Sequence, residues 1–178
     1  FTDKAGAFTL AHFAKSFEYY GNGMVFTVAI VLLSCALIAA VAIAIAGYFN
    51  AGQDCTAATR VIAAPAIHDE LAAALTAQAE GHTTGPPSNT EADFGPLNNA
   101  TPLERVSGIA SRAPSHASVL PGGSRVGGAG LFFAPTVVAG LNQDDELVQS
   151  EIFGPVITLQ RFTDEDEAIR YANGVEYG

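Results

Sequence analysis

Met24–Ala46, MVFTVAIVLLSCALIAAVAIAIA, contains no charged residue, and how it is read decides the fold. It exceeds the roughly 20 apolar residues that cross a bilayer. It is not a signal peptide, because the apolar run is too long and no basic segment directly precedes it. Its composition also divides in two. Val25–Leu33 is rich in Val, Ile and Phe, which suits a buried strand. Ser34 can then cap a helix, and Cys35–Ala46 is Ala-rich, which suits a helix buried all round. One reading gives a membrane span, the other a strand and a helix inside an α/β domain.

Charge separates this region from the rest. The 178 residues carry 8 Lys and Arg against 18 Asp and Glu, a net −10. Residues 1–53 sum to zero, so the acidity lies from Asp54 onward. An acidic chain with no basic stripe excludes a nucleic-acid partner. Hydrophobic residues at 49% exclude a largely disordered chain. Two cysteines exclude a disulfide scaffold and point to free thiols. The first residue is Phe1, and Tyr177-Gly178 follows an uncapped helical pattern, so both ends are expected to be cut.

Beyond Gly47 the punctuation is that of an α/β protein. Strands are expected at Arg60–Ala64, Ser118–Leu120, Phe132–Val138 and Pro155–Phe162. Helices are expected at His68–Glu80, at Thr101–Arg112 with Thr101 as N-cap, and at Asp164–Asn173. Pro121–Gly130 is a glycine-rich turn. Strands alternating with helices predict a mostly parallel sheet flanked by helices. The division expected is 1–46, carrying the apolar run, and 47–178.

Cys55 is the residue with the strongest chemical case. It follows a glycine-containing turn, and Thr56–Thr59 can continue as the first turn of a helix. Backbone N–H groups and the positive end of a helix dipole would then favour the thiolate. Asp54 acts in the opposite direction, because a neighbouring negative charge raises a thiol pKa. Cys35, inside the apolar run, is read as inert. No metal site is expected. His68-Asp69-Glu70 points to different sides of one helix, His12, His82 and His116 lack partners at ligand spacing, and the acidic runs lack the calcium-loop pattern.

Asn50-Ala51-Gly52-Gln53-Asp54-Cys55-Thr56-Ala57 closely resembles the catalytic-cysteine segment of the NAD(P)-dependent aldehyde dehydrogenase superfamily. Glu151-Ile152-Phe153-Gly154-Pro155-Val156 resembles a second signature of that family, 96 residues on. Phe94-Gly95-Pro96-Leu97, the glycine-rich turn and Ala134-Pro135-Thr136 fall between them in the family's order. The resemblance covers Gly47–Gly178, and its wording around Cys55 is most similar to the aminobutyraldehyde and betaine-aldehyde branch.

The resemblance implies a catalytic-domain fragment truncated at both ends. Cys55 would attack a small aldehyde to form a thiohemiacetal and then a thioester, its backbone N–H forming half of an oxyanion hole. Glu151 would hold the nicotinamide-ribose hydroxyls of NAD or NADP, with Phe153 near the nicotinamide. Glu18, in Glu18-Tyr19-Tyr20-Gly21-Asn22, is the nearest match to the family's general base. The resemblance further implies a cytoplasmic enzyme, homo-oligomeric at full length, and a chain inactive alone because the dinucleotide-binding domain lies upstream. The family's acids are missing from the apolar run. That leaves a divergent buried helix, a membrane anchor through Met24–Ala46 on a non-catalytic module, or a reading-frame error before Gly47.

Overall fold

The computed structural model describes residues 11–177, which divide into two units between Leu37 and Ile38. The apolar run is neither a strand nor a strand followed by a helix. Helix α1 runs without interruption over Ala11–Tyr48, so the strand expected at Val25–Leu33 is helical. A strand needs a neighbour to take its N–H and C=O groups, whereas a helix satisfies them within itself. A short apolar run does not distinguish the two by periodicity.

In the unit that begins at Ile38, the i, i+4 row Ala40, Ala44 and Tyr48 is buried in the core, while Ile38, Ile45 and Phe49 are exposed. The stretch Leu33–Gly52 is long and apolar enough to cross a membrane by length and composition. Here, however, one face of its C-terminal part packs on protein. Small alanines permit that approach. At Gly47 an added Cβ would sit 3.0 Å from Ile157 Cδ1 and from Ala58 O.

Four strands form the main sheet: β1 (Arg60–Ala63), β2 (Ser118–Val119), β5 (Thr136–Ala139) and β6 (Val156–Arg161). Their order is β1-β6-β5-β2. β1, β6 and β5 are parallel, with Arg60 opposite Thr158 and Thr136 opposite Val156, and β2 joins antiparallel. The mostly parallel α/β expectation therefore holds. β5 is buried throughout and β6 up to Gln160, as expected for central strands covered on both faces. A second ribbon pairs β3 (Arg125–Val126) with β4 (Phe132–Phe133).

Phe132–Val138 is thus two strands rather than one. Pro135 lies between them and has no N–H to offer a ladder. The glycine-rich turn likewise contains a strand, β3.

Helix α2 (Pro65–Gly81) buries Leu71, Leu75 and Ala79 at helical spacing. Helix α3 (Ala100–Ser111) buries Leu103, Val106 and Ile109. Its N-cap is Asn99, whose side chain accepts the Thr101 N–H at 3.0 Å, not Thr101 itself. Pro102 then sits in the first turn, where its missing N–H leaves no intrahelical bond unmade. Helix α4 (Glu146–Gln149) is one turn. Helix α5 (Glu165–Asn173) is capped by Asp164, which accepts the Glu167 N–H.

Candidate active site

Tyr48 fixes the point where α1 ends. Its ring is buried against Phe94 and His82, and its hydroxyl donates to the Thr136 carbonyl at 3.1 Å. Burial pushes this phenol well above its ordinary pKa. The chain then reverses through Asn50 (φ 50°), Ala51 (φ 58°) and Gly52 (φ 69°), three consecutive left-handed residues. Two of them carry a Cβ, which costs energy in this region. Gln53 closes the turn: its N–H and Nε2 donate to Asn50 O, and its own carbonyl accepts Asn50 Nδ2. Its Oε1 accepts the Asn98 N–H at 2.8 Å, tying the turn to the start of α3.

Glycine is required at position 52. A Cβ there would overlap the Gly154 carbonyl. This close approach brings the two signature segments together although they are 96 residues apart in sequence.

Thr56–Thr59 does not form a helix, so Cys55 does not stand at a helix N-terminus. Residues 54–57 make a turn instead, with the Ala57 N–H on Asp54 O at 3.1 Å. The Asp54 carboxylate accepts both the N–H and the hydroxyl of Thr56 at 2.8 Å. Those two bonds hold the Asp54 carboxyl below the ordinary carboxylate range. Asp54 satisfies the backbone that a helix would have used, which is the general reason this residue type favours turns over helix interiors. Two residues on, Thr59 O accepts the N–H and hydroxyl of Thr158, anchoring the loop on β6.

The loop and the second segment enclose a cleft of about 310 Å³. Cys55, Glu151 and Phe153 all line it, together with Arg60, Thr158 and Tyr177. Phe153 is left-handed (φ 55°), which turns the chain sharply between Glu151 and Gly154. Cys55 is exposed. Among the described residues, the Cys55 thiol makes no hydrogen bond with the protein, its N–H donates none and the Glu151 carboxylate accepts none. The site therefore offers an accessible sulfur, an unused backbone donor beside it and an unused carboxylate.

Glu18 lies exposed on α1 in the N-terminal unit, whereas the cleft is built from the other unit. The reading of the sequence missed Arg60. It appears there only as the first residue of a strand, yet it is the only Lys or Arg between Lys15 and Arg105. That isolation was the available signal.

A model of the aldehyde dehydrogenase family matches residues 26–178. A mitochondrial aldehyde dehydrogenase of Leishmania tarentolae is 36% identical over 132 residues, which are 74% of this chain and 26% of that protein. The crystal structure of an NAD-dependent aldehyde dehydrogenase from Sinorhizobium meliloti superposes with TM-score 0.76 at 36% identity, covering 80% of this chain and 29% of that one. A betaine aldehyde dehydrogenase of Staphylococcus aureus, a point mutant in complex with NAD+, superposes with TM-score 0.71 at 32% identity, covering 76% of this chain and 29% of that one. The chain spans about a quarter of the length of the curated relatives it matches. The family match takes in the apolar run from residue 26, and the membrane-anchored alternative gains no support from these comparisons.

Proposed function

The chain belongs to the aldehyde dehydrogenase family, and on that premise we propose that its cleft oxidises an aldehyde to the carboxylic acid with NAD as acceptor. One observation carries the reading: the close packing of Gly52 on Gly154 puts Cys55 and Glu151 on one small cleft.

Each residue's part follows from its chemistry. The Cys55 sulfur attacks the aldehyde carbon, forming a C–S bond and leaving an oxyanion. The unused Cys55 N–H is one donor available to that oxygen. Loss of hydride from the carbon turns the thiohemiacetal into a thioester on Cys55. Water then cleaves the thioester, releasing the acid and restoring the thiol. The nicotinamide, when bound, supplies the hydride acceptor. Glu151 fits its ribose, because a carboxylate with two free oxygens can accept from two adjacent hydroxyls. Phe153 offers an apolar face beside it. NAD in the S. aureus neighbour supports the choice of cofactor. Glu18 as the base that activates water rests on the resemblance of its segment alone. The amino-aldehyde and betaine-aldehyde branch has the wording around Cys55 and that same neighbour behind it.

The test is acylation by 4-nitrophenyl acetate, which needs no cofactor. Cys55 is expected to be acetylated with release of nitrophenolate, and Cys55→Ala to lose the reaction. Acetylation of Cys55 no faster than that of Cys35, the other exposed thiol, overturns the proposal.

A further inference from the structure

Arg60 opens β1 and lines the same cleft as Cys55. Its guanidinium is held in a fixed orientation. Nε donates to Gln160 Oε1 at 3.2 Å, and Nη2 donates to Gln143 Oε1 at 3.0 Å and to the Tyr171 carbonyl at 2.6 Å. These use three of the five N–H donors of an arginine. All three acceptors are neutral. Among the described residues no carboxylate pairs with Arg60, and the two donors on Nη1 remain unused. Beside it the fully buried Gln160 has a second unmet donor, Nε2.

A partly buried cation without a counter-charge is costly, and burial alone pulls the Arg60 pKa below its ordinary value. Unlike Arg60, Arg112 and Arg161 are in ion pairs, with Glu146 and Asp69. Arg60 instead holds a rigid charge at the wall of a cleft. The two N–H groups left on Nη1 diverge, so they do not form a parallel fork, but each can give a carboxylate oxygen a charge-assisted hydrogen bond from a fixed guanidinium.

We propose that Arg60 is a carboxylate subsite of this cleft, and that it takes the acid formed at Cys55 as that acid leaves. This rests on the reading of the cleft as the site of aldehyde oxidation. It makes small carboxylic acids occupants of the cleft in their own right, and so inhibitors that compete with entry to Cys55.

The experiment uses alkylation of the chain, with Cys35 as the reference thiol in the same sample. Iodoacetamide labelling of Cys55 is followed by mass spectrometry with butyrate, butyramide or succinate present. Butyrate is expected to slow Cys55 several-fold, butyramide to have no effect, and Cys35 to be unchanged. Iodoacetate, which carries its own carboxylate, is expected to favour Cys55 over Cys35 relative to iodoacetamide. Arg60→Gln is expected to abolish both effects.

Equal protection by butyrate and butyramide, or none by either, overturns the subsite. So does protection that survives in a folded Arg60→Gln. Protection confined to succinate, whose second carboxylate mimics an acid-tailed aldehyde, overturns the assignment to the product. The wild-type arms decide the question even if Arg60→Gln does not fold. Rapid labelling of Cys55 without selectivity for carboxylates removes Arg60 alone. Labelling of Cys55 no faster than Cys35 in every arm removes Cys55 as nucleophile, and Arg60 with it.

Discussion

The last turns of α1 and the junction that follows them are adjacent in sequence and specified in opposite ways. Between Ile38 and Tyr48 every residue is a small or aliphatic one apart from Tyr48, and the backbone is an ordinary helix. What distinguishes Ala44, fully buried, from Ile45, 60% exposed, is only what lies opposite. From Phe49 to Cys55 the side chains are mostly small or polar and the backbone is unusual, with three left-handed residues in a row. The helix is defined by its surroundings. The junction is defined by its own φ and ψ, by the hydrogen bonds of Gln53 and by one close backbone approach. Such a junction has few alternative sequences, whereas the helix tolerates many.

Substitutions can break this contrast. The largest effect is expected at Gly52. Gly52→Ala places a Cβ on the Gly154 carbonyl at a φ that disfavours it, and should cost about 3 kcal/mol or more. Urea titration of the variant would show this as a lowered midpoint, and a loss below about 1 kcal/mol would mean the two segments can slide apart.

Ala44→Leu comes next. Overfilling a fully buried alanine site should cost about 1–3 kcal/mol by the same titration. Its neighbour sharpens the comparison: Ile45→Gln, on the exposed face, should stay within about 0.5 kcal/mol of wild type. A large loss at Ile45 would show that this face is covered in the intact protein.

Acid should loosen the junction before it affects the helix. Asp54 has a folded-state pKa held below its unfolded value by the two bonds from Thr56. A depressed acid contributes its full stabilisation above the unfolded pKa and loses it as pH falls through the folded value. The Thr56 amide resonance should therefore be constant from pH 7 to about 5 and move only below about pH 4, on the acid side of the ordinary aspartate range. Movement near neutral pH would remove Asp54 as its cause. The smallest effect is expected from Glu18→Gln, which should leave acetylation of Cys55 unchanged and slow only release of the acetyl group. Slowed acetylation would argue against a role confined to the base.

Much of the framework could be read before the fold was known. The acidic first turn of α5, the apolar spacing of α2 and the β-branched content of β5 and β6 are local preferences, and the structure keeps them. The signature segments singled out Cys55, Glu151 and Phe153, and the structure brings these three to one cleft. Three of the failures share one cause. Val25–Leu33, Thr56–Thr59 and Phe132–Val138 each admit two local conformations of similar energy. A helix that satisfies its own backbone, an aspartate that caps a turn and a proline that interrupts a ladder settled them.

By itself, then, the sequence determined the α/β class, the helices with strong ends and the residue types available for chemistry, because these depend on neighbours within a few positions. Only the tertiary structure decided which face of α1 is core, that Gly52 must meet Gly154, and that Arg60 faces the same cleft as Cys55. Those depend on contacts between residues as many as a hundred positions apart, whose energies carry no periodic signature along the chain.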